Sequence, residues 1–291
     1  MHPNLLFIPT LLGAILFCWA GIKVYSTAHS PLTKAVLFAL AVALAVPALI
    51  FVTYYGHVLD RATWFYSFRA APFTELTASG IGFGTGLIFA WLKQLSAARN
   101  SAVIRLSGPS LLIGCGGLLM VPYAKPIIAP LEVPLQTRTS NGVTLQSTPA
   151  TCGPSSAVTI LRFYGIPATE RELARECFSY RGGTENWYVA RALQRRGLET
   201  SYIVSEPQSD TIPMPSIAGV QLGGPGVGGH FITVLGRVDS RRDSKYLVGD
   251  PLVGLLNLTP EEIHKKYYFT GFFLKVTGGS KQVHLPMLIS L

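Results

Sequence analysis

The stretch LQSTPATCGPSSAVTILRFYG, residues 145–165, sets Cys152 at the mouth of a predicted helix and Gln146 six residues ahead of it. A cysteine is a nucleophile only as thiolate, and a helix N-terminus favours the anion through its unpaired N–H groups and macrodipole. Pro154 suits the first helical turn, and Gly153 is expected to keep the approach to the thiol open. A thiolate nucleophile also needs a base, a group that orients the base, and donors for the developing oxyanion. His230, in GGHFITVLG, opens an apolar strand after a glycine-rich run and is the best base. Asp250 follows the short strand KYLVG, from which a carboxylate can reach the far imidazole nitrogen and fix its tautomer. Taken alone, Asp250 before Pro251 reads rather as a turn aspartate. Gln146 can pair its side-chain N–H with the Cys152 backbone N–H as an oxyanion hole, although a polar loop residue is the plain alternative.

The other candidates are weaker. His2, His29 and His57 fall in an apolar first half, His264 on a charged helix face and His284 in the tail. Cys18 and Cys115 lie inside apolar segments, and Cys177 shares a predicted apolar helix face with Leu173. No CxxC occurs, which argues against a zinc ribbon or a thioredoxin site. The reading therefore includes no metal and no cofactor. The context of Cys152 favours a free thiol over a disulfide with Cys177.

Together these residues resemble a known family. Gln146 with Cys152-Gly153, HFITVL at 230–235 and DPLVG at 250–254 look like the double-glycine leader (bacteriocin-processing) cysteine peptidases. GGTENWYVARALQRRGLET, MPSIAGVQL and YYFTGFFLKV extend the likeness over roughly 142–277. The resemblance implies a papain-like fold and a thiol peptidase: Cys152 as nucleophile, His230 as base, Asp250 as orienter, Gln146 as oxyanion donor. Members fused to exporters cut a leader peptide after Gly-Gly. This chain has no GxxxxGK[ST] nucleotide loop, so it is not read as the transporter itself.

The elements that position these residues sit in the second half. Of the chain's 24 basic and 15 acidic residues, eight and two fall before Leu131, leaving sixteen and thirteen in about 160 residues. That length can hold one core. Helices are predicted over Gly153–Tyr164, from Thr169 with a Thr169/Glu172 capping box, over Asn186–Gly197, and from Thr259. Strands are predicted over Ser201–Val204, Ser216–Leu222, Phe231–Arg237, Tyr246–Gly249 and Gly271–Val276. Helices first and strands later argue α+β.

The acid-poor first half holds four apolar stretches: Leu5–Tyr25, Lys34–Tyr54, Thr77–Leu92 and Leu111–Ile128, the last interrupted by Pro122 and Pro126. The first two have the length needed to cross a bilayer. GIGFGTG carries small-xxx-small spacing that suits close helix approach, or glycines merely tolerated. YYGHVLDRATWFYSFRAAPF suits the headgroup level. Lys and Arg in the short loops, five against four, favour both termini outside the cytoplasm and leave the cytoplasmic placement as the alternative.

The expected organisation is an all-α domain of about four transmembrane helices (1–130), a Pro-rich connector (131–141), a papain-like peptidase domain (142–277) and a tail (278–291). The expected function is a multi-pass inner-membrane cysteine peptidase, its catalytic domain extracytoplasmic, cutting a membrane-proximal or secreted polypeptide. Its partners are a peptide substrate, membrane lipid and export machinery. Nucleic acid is not expected, since no basic run carries interleaved aromatics. A non-catalytic peptide-binding module of an export or sensing system, or acyl transfer (amidase or transpeptidase) on the same triad, are the alternatives.

Overall fold

The structure, a computed structural model, describes residues 4–99, 102–239 and 244–278. The tail read over 278–291 therefore lies outside the described residues from 279 onward. The first half forms α1 (Phe7–Thr27), α2 (Pro31–Thr53), α3 (Thr63–Ala70), α4 (Thr74–Thr77), α5 (Ile81–Arg99) and α6 (Ala102–Ile128). Then come β1 (Arg138–Ser140), β2 (Val143–Leu145), α7 (Cys152–Phe163), α8 (Glu170–Glu176), α9 (Asn186–Gln194), β3 (Glu199–Val204), β4 (Ser216–Gln221), β5 (Gly229–Asp239), β6 (Ser244–Asp250), β7 (Gly254–Leu258), α10 (Pro260–Lys266) and β8 (Tyr268–Thr277). They group into two compact units. One holds residues 3–60 and 71–125; the other holds 61–70 and everything from Pro126 on.

In the helical unit, α1 and α2 are each long and apolar enough to cross a membrane. Ser30 caps α2 by accepting from the Thr33 N–H at 3.0 Å. The glycines of GIGFGTG resolve into close approach. A Cβ on Gly82 or Gly86 would collide with the carbonyls of Ala14 and Cys18 on α1, and one on Gly80 with that of Leu44 on α2. Gly21 of α1 meets the Phe83 carbonyl in the same way. The prolines predicted to interrupt the fourth stretch do not. α6 runs unbroken through Pro109, Pro122 and Pro126, as apolar helices tolerate when the freed carbonyls find other partners.

The second unit is α+β. Its sheet has the order β3-β8-β4-β5-β6-β7, and every neighbouring pair is antiparallel. Ala218, Val220, Ile232, Val234, Val248, Phe269 and Phe273 bury one core against Ile263 of α10 and Tyr267. α8 and α10 both begin with complete capping boxes, Thr169/Glu172 and Thr259/Glu262. α7 is buried along nearly its whole length, and the Ser156 hydroxyl donates to the Phe231 carbonyl of β5 at 3.1 Å. In this unit β7, the helix α3 and the β1–β2 hairpin went unpredicted. The hairpin is turned by Asn141-Gly142 at φ 47° and 80°, the pair that a tight hairpin favours.

The segment read as lying at headgroup level behaves differently over α3. Phe65 (0% exposed) and Tyr66 are buried in the second unit. Phe65 meets Trp187 of α9 edge-on, with centroids 6.2 Å apart, and Tyr66 meets Phe272 of β8 at 5.1 Å. Arg69 lies over the Trp187 ring at 4.4 Å. Buried Arg191 of α9 donates to the carbonyls of Arg69 at 2.7 Å and Ala70 at 3.2 Å. It thus satisfies carbonyls that the end of α3 leaves without helical partners. Phe65 and Tyr66 are thus spent on protein packing, while Trp64 and Phe73 of the same segment stay exposed.

Candidate active site

Cys152 is the first residue of α7, where its backbone N–H has no intrahelical acceptor. The loop before it is held from both sides. The Gln146 N–H donates to the Pro251 carbonyl at 2.9 Å, tying the end of β2 to the turn that follows Asp250. Glu170, 1% exposed, accepts through one oxygen from both the N–H (2.8 Å) and the hydroxyl (2.9 Å) of Ser147. Sequence reasoning missed Glu170, because its carboxylate serves a loop twenty-three residues away. Gly153 is buried, and a Cβ there would sit in ordinary contact with Val189, Thr184 and Phe231.

His230 begins β5 opposite Val220 of β4, and Asp250 ends β6. The two strands are neighbours, and His230 Nε2 lies 2.9 Å from Asp250 Oδ1 with both side chains buried. An ionised carboxylate only accepts, so the proton sits on Nε2. That leaves Nδ1 without a proton and open to Cys152, whose thiol acts on the ionisation of His230. Asp250 Oδ1 also accepts from the Leu252 N–H at 2.9 Å, and Oδ2 accepts from the Tyr267 hydroxyl at 2.6 Å. Tyr267 was not foreseen: nothing in its spacing marks it.

Electrostatics follow from this packing. Burial by itself pulls the His230 imidazolium down. The hydrogen bonds with Asp250 and Cys152, and their charges, outweigh it and push it up to about 9. Burial lifts Asp250, but bonds from His230, Tyr267 and the Leu252 N–H hold it below its usual value. Cys177, at the C-terminal end of α8 with 0% exposure, is pushed up by burial. Cys152 and Cys177 are both free thiols.

Gln146 lies on the same loop as Cys152. Its Nε2 donates to the Thr148 carbonyl at 2.9 Å, leaving one N–H hydrogen unspent, and its Oε1 is buried without a partner. His57 pairs with Asp60 on the surface (2.8 Å). His264 packs on Phe269 and faces Gln208. Neither joins the site. Among the described residues no cluster of His, Cys, Asp or Glu could hold a metal ion.

The Peptidase C39 family model matches residues 140–281, the span that carries all four side chains. This part of the chain is a C39 peptidase domain. Three solved structures are similar to it. A double glycine motif protease from an AMS/PCAT transporter, in complex with the leader peptide, is 20% identical, covers 48% of this chain and 91% of its own, and superposes with a TM-score of 0.38. The peptidase domain of Streptococcus ComA, a bi-functional ABC transporter of a quorum-sensing pathway, is 20% identical over 46% of this chain and 95% of its own, TM-score 0.37. The N-terminal C39-like domain of a toxin secretion ATP-binding protein from Vibrio parahaemolyticus is 17% identical over 46% and 98%, TM-score 0.34. No curated protein matches the chain. The C39 domain is a cysteine peptidase.

Proposed function

We propose that Cys152, His230, Asp250 and Gln146 are the working parts of a membrane-anchored cysteine peptidase. The buried His230–Asp250 contact of 2.9 Å beside Cys152 at the mouth of α7 carries the reading. His230, charged up to about pH 9, stands with Cys152 as an imidazolium beside a thiolate. The thiolate adds to a substrate carbonyl, and the C=O electron pair moves onto oxygen. The Cys152 N–H and the unspent N–H of Gln146 receive that oxyanion. His230 gives its proton to the departing amine, which leaves a thioester on Cys152. His230, now neutral, draws a proton from water as the water attacks the thioester. Collapse releases the acid and restores the thiolate beside the imidazolium. Asp250 keeps Nε2 protonated throughout, so that Nδ1 faces the sulfur.

The anchor is four spans: α1, α2, α5 and α6. The close glycine contacts of α5 with α1, and of Gly80 just before α5 with α2, are what helices packed in lipid use. The peptidase faces away from the cytoplasm, and its substrate is a secreted or membrane-proximal polypeptide delivered with export machinery. Cells carrying wild-type or Cys152→Ala protein are to be compared by mass spectrometry of membrane-bound and secreted peptides. Peptides that appear only with the wild type are expected; identical sets would end the reading. Labelling of Ser280→Cys by an impermeant thiol reagent in intact cells tests the orientation, and labelling only after lysis would reverse it.

A further inference from the structure

The geometry points to Tyr267 as a positioning residue for the reaction, one that holds the Asp250 carboxylate in place behind His230. The inference rests on the catalytic reading above. Asp250 is 2% exposed, so each carboxylate oxygen must find its donors inside the protein. Oδ1 has two, His230 Nε2 and the Leu252 N–H. Oδ2 takes the Tyr267 hydroxyl, at 2.6 Å. This distance falls in the short range typical of an O–H donor on an ionised oxygen.

Tyr267 is itself held on three sides. Its ring is 1% exposed in the core that includes Ile263 and Phe269. Its N–H donates to the Ile263 carbonyl at 2.9 Å, closing the end of α10. Lys266 covers the ring at 5.6 Å. The charged and titratable groups around the carboxylate are thus His230 from β5, Cys152 from α7 through His230, and Tyr267 with Lys266 from the α10–β8 junction.

The role is orientation. A carboxylate fixed only through Oδ1 can swing about its Cβ–Cγ bond, and the imidazole that hangs on Oδ1 swings with it. Pinning Oδ2 removes that freedom. A hydroxyl can also reverse and accept. An amide at position 250 could then keep its carbonyl on His230 and Leu252 and turn its NH2 on the phenol oxygen. Tyr267 therefore predicts a tolerance: Asp250→Asn keeps its geometry while Tyr267 is present and loses it when Tyr267 is Phe.

The test uses the full chain in detergent and needs no peptide substrate. The rate of Cys152 alkylation by iodoacetamide is followed against pH, with the modified residue identified by mass spectrometry. The wild type is expected to label Cys152 faster than a free thiol at and below neutral pH, because the imidazolium that Asp250 holds in place faces the sulfur; the acid limb belongs to the coupled Cys152–His230–Asp250 system. In Tyr267→Phe the ionised Asp250 loses a donor, so the acid limb moves up by roughly one pH unit or more. A role confined to packing would lower the melting temperature and leave the limb where it was; that result overturns the inference. Should Tyr267→Phe not fold, Asp250→Asn and Asp250→Ala with Tyr267 intact decide it. Asn is expected to retain several-fold faster labelling than Ala, and equal losses overturn the inference. Slow Cys152 labelling without an acid limb in the wild type would instead remove the catalytic reading and this inference with it.

Discussion

Replacing Phe65 by Ala, in the first half of the chain, should destabilise the C39 domain. Phe65 is 0% exposed and is flanked edge-on by Trp187 at 6.2 Å and Tyr66 at 5.4 Å. Truncating a fully buried Phe costs about 3–5 kcal/mol from lost transfer and the cavity left behind. The edge-to-face contacts supply part of that sum. Against a typical domain stability of about 5–15 kcal/mol the loss is large, and in a unit of this size it corresponds to a melting point lower by roughly 10 °C. Trp64, next to it, is 53% exposed and serves as control; its truncation should stay within about 0.5 kcal/mol. Cys177, fully buried in the same unit, reports unfolding when a thiol reagent reaches it. The assay is the temperature at which Cys177 becomes modified in full-length Cys152→Ala protein, read by peptide mass spectrometry. If Phe65→Ala and Trp64→Ala give the same temperature, α3 does not belong to the peptidase unit, and the packing argument fails.

Gln146→Ala should lower kcat by about 10²–10³ with little change in KM, because the donor acts on charge that appears only on attack; an unchanged kcat with a raised KM would reduce Gln146 to a substrate contact. Cys152→Ala should abolish cleavage while the domain still folds, and Cys177→Ala should keep activity, since a buried thiol whose ionisation is suppressed is no nucleophile; the reverse pattern would overturn the assignment. The raised His230 pKa sets a pH window. Its stabilising pairing is complete below the unfolded value of about 6.5 and is lost as pH rises through about 9. Turnover should therefore fall as pH rises through about 9, where His230 loses the proton it gives to the departing amine, and a basic limb of turnover below pH 7 would contradict the geometry.

Much of the peptidase half was legible because its signals are local. Thr169/Glu172 and Thr259-Pro260 announce helix starts within four residues, and the structure has both capping boxes. The cysteine before a helix, the histidine at a strand start and the Asp-Pro after the next strand can be read one at a time. The helix-spaced glycines of GIGFGTG left close approach and mere tolerance open, and only packing chose the first and the carbonyls they meet: Ala14 and Cys18 on one helix, Leu44 on the other.

What the sequence alone determined was therefore residue type, element type and the α+β class, properties set by hydrogen bonds and side-chain periodicity within a few residues. Tertiary structure decided which of them meet. Tyr267 closes on Asp250 from seventeen residues further on, Glu170 holds a loop twenty-three residues away, and Arg191 reaches back 122 residues to the end of α3. The same aromatic composition that suits a lipid headgroup region also suits a protein groove. The two differ only in what lies opposite, and Trp187, Tyr202 and Phe272 lie opposite. Local chemistry carries no record of such partners, because the free energy that selects them comes from burial and from satisfying polar groups after the chain has folded back on itself.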